Sequence, residues 1–415
     1  MSSSMSTGTR FKLSAMMFLQ FIMFAVFWAA LAPYVTNQGA GWASWKPWIL
    51  STMALGSLAS PLMGMFADRY FNAEKVLAFS NLVCAAMLFM TARATSGLEV
   101  FVYLLIALLF YMPTWGLTAA IAMSNSPAEQ FPQIRVFGTI GWVSSMVFGL
   151  VAFQVFNVKI DGTNIPFYCG AGSAVVAALV AWMCPATPPK GKGQPFSIFD
   201  ALGLRAFSML KDKNFAVFIL VTLVAMIPFN IHFAFLGDFL SSKGFQQVTA
   251  VTYIGQAAEV FCMLLVTWAM RKFGVKWSIV AGLAALTIRY AAYYFAAGDM
   301  TSLVYIGILI HGVIFGFFVV GGQVYVGKTA SADMQGQAQG FYALMAFGIG
   351  TFIGTFVNNG LINHFTAPVK KMVEGQEVTL LQGSWDKVWL VTLVCSLVCL
   401  VVMTIFFNPK KEESK

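Results

Sequence analysis

The first apolar run of the chain reads LSAMMFLQFIMFAVFWAALAPY (residues 13–34), and it sets the interpretation of the rest. About 20 apolar residues, at a rise of roughly 1.5 Å each, cross the hydrocarbon core of a membrane as one α-helix. A polar Ser/Thr-rich segment precedes this run, and no small-residue cleavage signal follows it. We therefore predict a retained first membrane helix and not a signal peptide.

The rest of the chain has the same apolar character. Of its 415 residues, 59% are hydrophobic and only 10% are charged, whereas soluble domains carry roughly 25% charged residues. A soluble fold has no interior large enough for so much apolar surface, so lipid must surround most of the chain. The net charge of +9 would favour nucleic-acid binding in a soluble protein. Here the lysines and arginines lie mostly in short loops, as membrane topology requires, and we predict no nucleic-acid partner.

Twelve apolar runs are long enough to span a membrane. They occupy residues 13–36, 45–66, 75–95, 98–123, 132–156, 166–183, 213–236, 249–270, 277–297, 302–326, 337–360 and 385–407. The longest polar connection separates six runs from six, which predicts an all-α membrane protein of two six-helix bundles, 1–183 and 213–415, joined by a cytoplasmic loop, 184–212. With the amino terminus inside, 16 lysines and arginines fall on the cytoplasmic side and 7 on the other, so both termini are predicted to be cytoplasmic.

Short charged turns occur at equivalent places in the two halves. Asp68 and Arg69 follow the second run, and Arg271 begins the turn after the eighth. We expect these turns to form a cytoplasmic gate.

Two polar side chains lie near the middle of the eighth run. Gln256 and Glu259 are three residues apart, which places them on one helix face. A charged side chain in hydrocarbon costs about 2.5–3.5 kcal/mol and is a functional candidate by default. An amide beside a carboxylate suits a polyhydroxylated or heterocyclic ligand, and a carboxyl group in apolar surroundings retains its proton to higher pH. The alternative is a structural ion pair with Arg289, which lies in the next run.

A second stripe of polar and aromatic side chains lies in the fifth run. Arg135, Thr139 and Trp142 are spaced i, i+4 and i+7, so they share one helix face. A cation, a hydroxyl and a flat ring suit a ligand with polar edges and a stackable base. The alternative is that Arg135 lies at the membrane boundary and extends its guanidinium into water.

Weaker candidates are scattered over other runs. Asn230 follows a proline in the seventh run, His311 and Phe315 share a face of the tenth, and Gln20 is a cavity candidate in the first. A lone histidine on an apolar helix is more often a packed hydrogen-bonding residue, and this alternative stays open for His232 and His311. The sequence contains no metal-ligand cluster, phosphate loop or catalytic triad, so we predict no enzyme, cofactor or metal.

Six segments resemble the bacterial nucleoside:proton symporter family of the major facilitator superfamily. FPQIRVFGTIGW (131–142) is the most specific of them, whereas the Asp-Arg turn is generic to the superfamily. The others are FADRYFNAEKVLAF (66–79), YMPTWGLTAAIAMSN (111–125), LGLRAFSMLKDKNF (202–215), IGQAAEVFCM (254–263) and AQGFYALMAFGIG (338–350).

The resemblance implies a secondary transporter that imports nucleosides across the bacterial inner membrane by alternating access, driven by protons. It implies proton coupling at Glu259. The implied substrate contacts are Arg135, Thr139, Trp142, Asn230, Phe233, Gln256, Glu259, His311 and Phe315. One departure is Gly316, where related permeases carry an aspartate. We expect a monomer in the lipid bilayer, and two alternatives stay open: a proton-coupled sugar or glycoside permease, and a nucleoside facilitator without proton coupling.

Overall fold

The computed structural model of the protein describes residues 5–60, 63, 70–127, 130–189, 204–330, 335–373 and 376–409. Most of these residues are helical, and the described chain has a single two-stranded sheet. Ten helical segments within the described ranges are long and apolar enough to cross a membrane. They are Thr7–Asn37, Ala73–Ala92, Gly97–Ser124, Gln133–Phe156, Ile165–Trp182, Lys213–Ser242, Trp268–Ala297, Leu303–Thr329, Ala338–Phe365 and Trp385–Phe406.

The chain folds into two compact units. The first comprises Met1–Ser197, Leu236–Tyr253 and Pro368–Leu380, and the second comprises Ile198–Phe235, Ile254–Ala367 and Leu381–Lys415.

The first unit contains a series of short and long helices whose ends follow from local sequence. The hydroxyl of Ser6 accepts a hydrogen bond from the backbone N–H of Thr9 and caps the first helix, and Ser96 caps a later one through Glu99. Pro113 has no N–H to donate, and the helix breaks there. The helices are α1 (Thr7–Trp28), α2 (Leu31–Asn37), α3 (Ala40–Ala43), α4 (Lys46–Ser57), α5 (Ala73–Ala92), α6 (Gly97–Tyr111), α7 (Thr114–Ser124), α8 (Phe131–Ser144), α9 (Met146–Phe156) and α10 (Ile165–Trp182).

Glycines let the helices of the first unit approach closely. Helix α1 packs against α8 and α10. A Cβ added at Gly141 of α8 would collide with the carbonyl oxygen of Phe18, and one at Gly170 of α10 would lie 2.9 Å from that of Met23. Small residues therefore let two helices, α8 and α10, pack closely against the same stretch of α1.

The second unit is built from longer helices with internal breaks. Helix α11 (Lys213–Ser242) contains Pro228, and α12 (Val248–Ala297) changes direction at Gly274, whose φ of +80° is readily adopted only by glycine. The break at Gly274 separates the predicted runs 249–270 and 277–297. The remaining elements are a 3₁₀ helix (Leu204–Lys211), α13 (Leu303–Leu309), α14 (His311–Val313), a π-helical segment (Ile314–Val320), α15 (Gly321–Thr329), α16 (Gln335–Ala343), a second π-helical segment (Leu344–Gly350), α17 (Thr351–Phe365), β1 (Thr366–Val373), β2 (Gln376–Gly383) and α18 (Trp385–Phe406). Of these helices and strands, residues 236–242 of α11, 248–253 of α12 and 368–380 of the hairpin belong to the first unit.

Some details differ from the sequence-based expectations. The predicted run 45–66 corresponds to α4, and part of that run lies outside the described residues. The hairpin β1–β2 follows α17 in a stretch with no predicted element, because its two strands are short and not part of an apolar run. Asp68 and Arg69 lie outside the described residues, whereas Arg271 is solvent-exposed on α12.

Candidate functional site

In the second unit, close helix packing brings α12 against α13 and α14. A Cβ at Gly255 would lie 2.6 Å from the carbonyl oxygen of Ile308, and one at Gly312 would lie 2.8 Å from the backbone nitrogen of Glu259. Two glycines on facing helices therefore let the backbones touch at this level. The consequence is that His311, the neighbour of Gly312, lies beside Glu259.

Gln256 and Glu259 lie one helical turn apart on α12, as the spacing predicted. Gln256 is only 4% exposed, yet neither its Nε2 nor its Oε1 has a hydrogen-bond partner among the described residues. The Glu259 side chain keeps 17% of its surface accessible. A buried amide without partners is unfavourable by itself, because it has lost water and gained nothing in return. Its free donor and acceptor are available to a bound ligand or to water.

His311 connects Glu259 to a buried arginine. The Nε2 atom of His311 lies 3.6 Å from Oε2 of Glu259, and its Nδ1 lies 2.9 Å from Nη2 of Arg289. Arg289 is fully buried and also donates from Nε to the carbonyl oxygen of Gly307 at 3.0 Å. The direct ion pair between Glu259 and Arg289, considered as an alternative above, is not formed, because the His311 ring lies between the two side chains.

Aromatic rings surround His311. The centroid of the Phe233 ring lies 5.2 Å away in an edge-to-face arrangement, and that of Phe315 lies 6.0 Å away. The His232 ring stacks on His311 at 5.4 Å, and its Nδ1 lies 3.0 Å from the hydroxyl of Tyr293. Phe315 lies in the π-helical segment that follows α14, and such segments are frequent at functional sites.

Asn230 points to a different neighbour. Its Oδ1 accepts hydrogen bonds from Thr355 at 3.4 Å and from Asn358 at 3.5 Å, both on α17. The predicted contact residue is therefore engaged with a helix of its own unit.

The first unit holds Arg135, Thr139 and Trp142 on α8, as their spacing predicted. Trp142 belongs to an aromatic cluster, in which its ring centroid lies between 5.5 and 6.4 Å from those of Phe21, Phe24, Trp115 and Tyr253. The indole N–H groups of Trp115 and Trp142 are buried and have no partner among the described residues.

The two polar members of this stripe lie nearer the solvent. The guanidinium of Arg135 lies 4.7 Å from the ring centroid of Phe21, a cation–π contact at an exposed side chain. Thr139 is half-buried between Arg135 and Trp142. Along this helix face, a cation is followed by a hydroxyl group and then by flat aromatic rings.

Sequence reasoning misjudged or missed several residues. Gln20 is fully buried with both polar ends bonded, since its Nε2 donates to Thr114 at 2.7 Å and its Oε1 accepts from Asn81 at 3.0 Å. The prediction of Gln20 as a cavity residue is wrong, because the amide holds three helices together. The aromatic partners of Trp142 and the bond from Arg289 to His311 were not predicted, since they depend on tertiary contacts and no periodicity marks them.

The described residues contain no group of three or more His, Cys, Asp or Glu side chains that could hold a metal ion. Many apolar spans with a few buried polar clusters are the features of a membrane transporter. The fold agrees: the chain superposes on a crystal structure of the nucleoside transporter NupG with a TM-score of 0.84, at 26% identity over 96% of this chain and all of that one. By its fold, the protein belongs to the class of major facilitator transporters.

The family follows from the sequence comparison. The model of the family described as nucleoside H+ symporter matches residues 5–412, and the chain belongs to that family. YegT of Escherichia coli (strain K12) is 33% identical over 413 residues, covering 98% of this chain and 95% of that one. The xanthosine permease of the same strain is 26% identical over 97% of each chain. The protein is thus a multi-pass membrane transporter that imports nucleosides together with protons, and it is not an enzyme.

Proposed function

We propose that Glu259 is the proton acceptor of this symporter and that Gln256 and Glu259 together bind the ribose of the nucleoside. The observation that carries this proposal is the buried amide of Gln256, unpartnered in the described residues, beside a partly accessible carboxylate. Ribose hydroxyls both donate and accept hydrogen bonds, so one can donate to the carboxylate while another pairs with the amide. Because such a site leaves its own polar groups unpaired without ligand, it favours substrates that carry these hydroxyls.

The base is proposed to stack on aromatic rings. In the first unit Trp142 supplies a flat surface, Thr139 a hydroxyl and Arg135 a cation. In the second unit Phe233, His311 and Phe315 form an aromatic surface beside Glu259. For Asn230 to contact substrate, as we propose, its hydrogen bonds to Thr355 and Asn358 of α17 must be replaced by hydrogen bonds to the nucleoside.

Because position 316 is a glycine and not an aspartate, we propose that Glu259 is the one carboxylate on this face that carries the coupling proton. A Cβ at position 316 would lie 2.9 Å from Cγ2 of Val266 on α12, so the local packing suits glycine. An aspartate side chain at this position would require the Val266 side chain to shift. The coupling proton is therefore assigned to Glu259 and not to a second acid.

The finer architecture is also part of the proposal. We infer twelve membrane helices in two six-helix bundles, 1–183 and 213–415, linked by a loop at 184–212, with both termini cytoplasmic. The excess of positive charge on one side of the predicted spans supports this orientation. We further propose a monomer in the bacterial inner membrane that works by alternating access, with Asp68, Arg69 and Arg271 at its cytoplasmic gate.

Uptake of radiolabelled uridine and adenosine into cells without their own nucleoside permeases tests the proposal. The wild-type chain is expected to accumulate nucleoside above the external concentration, and a protonophore should abolish the accumulation. Glu259→Gln is expected to lose accumulation, because a neutral amide cannot carry the proton. Normal accumulation by this variant, with unchanged pH dependence, would overturn the role of Glu259.

A further inference from the structure

We propose that His311 is a positioning residue of proton coupling: a neutral imidazole, fixed by Arg289, that presents its Nε2–H to Glu259. The inference rests on the proposed role of Glu259 as the proton acceptor. It differs from the role that the family resemblance implies for His311, which is an aromatic contact to substrate.

The tautomer of His311 follows from the chemistry of its neighbour. A guanidinium has only donors, so the 2.9 Å contact between Arg289 Nη2 and His311 Nδ1 requires Nδ1 to accept. The ring proton of a neutral imidazole must then lie on Nε2, which is the atom that faces Glu259. A second proton on Nδ1 would point at a permanent cation. His311 therefore stays neutral while this contact lasts, and it can only donate to the carboxylate.

The ring has little freedom to turn. Its ring centroid lies 5.4 Å from that of His232, on which it stacks, and 5.2 Å from that of Phe233, which it meets edge to face. Arg289 is held in turn by the carbonyl oxygen of Gly307, four residues before His311. The charged or titratable groups around the ring are Arg289 and Glu259 from α12 and His232 from α11, with Tyr293 behind His232.

This arrangement couples the protonation of Glu259 to its position. The separation of 3.6 Å between Nε2 and Oε2 is longer than a good hydrogen bond, and a shift of a few tenths of an ångström would close it. The charged carboxylate of Glu259 attracts the Nε2–H strongly, whereas the protonated, neutral carboxyl group is attracted less. His311 thus distinguishes the two protonation states of Glu259 without taking a proton itself.

The tautomer can be observed directly. The chain has only three histidines, so ¹⁵N-histidine solid-state NMR of the full-length protein in lipid gives few signals, and His311→Gln identifies the one from His311. We expect the neutral Nε2–H tautomer to persist between about pH 5 and 8, although an exposed histidine titrates near 6.5. An imidazolium signal, or a neutral ring protonated on Nδ1, would overturn the assignment independently of transport.

Two substitutions separate the possible roles of the ring in reconstituted vesicles. His311→Gln retains an acceptor for Arg289 and a donor for Glu259 but cannot titrate, whereas His311→Phe retains only the aromatic ring. We expect His311→Gln to raise the KM for nucleoside, because it loses the aromatic ring, but to keep proton-driven accumulation at saturating nucleoside within about threefold of wild type. His311→Phe should lose roughly tenfold or more, the equivalent of one charge-assisted hydrogen bond.

Each opposite outcome identifies a different error. Full accumulation by His311→Phe would reduce His311 to an aromatic contact, and loss by His311→Gln equal to that of His311→Phe would mean that the ring carries the proton. Nucleoside-dependent thermal stabilisation of both variants confirms that they fold. Glu259→Gln, measured in parallel, tests the proposed function alone: if that variant still couples, the acceptor is elsewhere and the failure does not concern His311.

Discussion

Lys46 and Asp238 form a buried ion pair, with 2.6 Å between Nζ and Oδ2 and less than a tenth of either side chain exposed. Thr36 completes the group, because its hydroxyl accepts from Lys46 at 2.6 Å and donates to Asp238 at 2.8 Å. The three side chains come from α2, α4 and α11, and all belong to the first unit. The carboxyl end of α11 is thereby fastened to the amino-terminal helices by charge.

We predict that Asp238→Asn and Lys46→Met each destabilise the protein by about 3–5 kcal/mol, because a single substitution leaves the other charge buried without the opposite charge that it contacts here. The double variant should recover a large part of this loss, since it removes both charges. Thermal unfolding in detergent, followed by tryptophan fluorescence, measures the effect.

The hairpin offers a matched control for this prediction. Lys370 and Glu377 also form an ion pair, at 3.1 Å, but their side chains are 71% and 56% exposed. Lys370→Ala should change the free energy of unfolding by only about 0–1 kcal/mol. A loss as small as this for Asp238→Asn would show that the buried pair is not a structural fastening.

Close packing at Gly141 supports a second prediction. Gly141→Ala places a methyl group against the backbone carbonyl of Phe18, which cannot move without displacing α1. We expect a loss of about 1–3 kcal/mol in unfolding free energy and reduced nucleoside affinity, since the neighbouring Trp142 must shift too. Gly172→Ala on α10 is the control, because no atom lies within 4 Å of the added Cβ. Equal stability of the two variants would contradict the packing argument.

The sequence predicted what depends on helical periodicity. Gln256 and Glu259 lie on one face of α12, and Arg135, Thr139 and Trp142 lie on one face of α8, because a spacing of three, four or seven residues suffices to place them. Their roles in transport stay predictions. Apolar runs likewise located the ten segments of the described residues that are long and apolar enough to span, since length and hydropathy alone decide this, whereas the count of twelve stays a prediction.

The features that the sequence did not predict depend on tertiary contacts between helices. The link from Glu259 through His311 to Arg289 exists because Gly255 and Gly312 let two helix backbones touch, and no periodicity in one helix marks such a crossing. Gln20 is a polar residue in an apolar run, as a cavity residue would be, yet it forms hydrogen bonds with Thr114 and Asn81 inside a helix interface. A polar residue in an apolar run indicates that a partner exists but not whether the partner is protein or ligand.

The unpartnered amide of Gln256 supports a third prediction, in which stability and binding change in opposite directions. Gln256→Leu removes two buried polar atoms that no described residue satisfies, so the free protein should be as stable as wild type or more stable. The same change removes hydrogen bonds to substrate and should weaken nucleoside binding by roughly tenfold or more. Isothermal titration and thermal unfolding of the same samples provide both readouts.

Asn358→Leu is a useful comparison for Gln256. Asn358 is equally buried, but its Nδ2 donates to the carbonyl oxygen of Ile227 at 2.8 Å, so its loss should lower stability. If Gln256→Leu is destabilised as strongly as Asn358→Leu, the amide of Gln256 has structural partners in solution and is not held free for a ligand.

Asp161 supports a fourth prediction, on pH. It lies in the loop between α9 and α10, where its carboxylate accepts from the backbone N–H of Thr249 at 2.9 Å and from the Thr249 hydroxyl at 2.7 Å. Burial raises the pKa of Asp161 above its usual range, although the two bonds from Thr249 oppose the shift. A raised pKa means that the folded protein favours the protonated form. The stabilising contribution is complete below the unfolded-state pKa, near 3.9, and is lost as the pH rises through the folded-state value.

Asp161→Asn should therefore match or exceed the wild type in melting temperature at pH 7, and the difference should shrink as the pH is lowered toward 4. The amide preserves the geometry, because its oxygen can accept from the backbone of Thr249 while its NH₂ donates to the hydroxyl. Asp161→Ala should be less stable at every pH, by about 1–3 kcal/mol, since the buried N–H of Thr249 loses its acceptor. If Asp161→Asn is instead less stable than wild type at pH 7, and regains stability only in acid, the ionised carboxylate is the favoured form in the folded protein and the bonds from Thr249 outweigh the cost of burial.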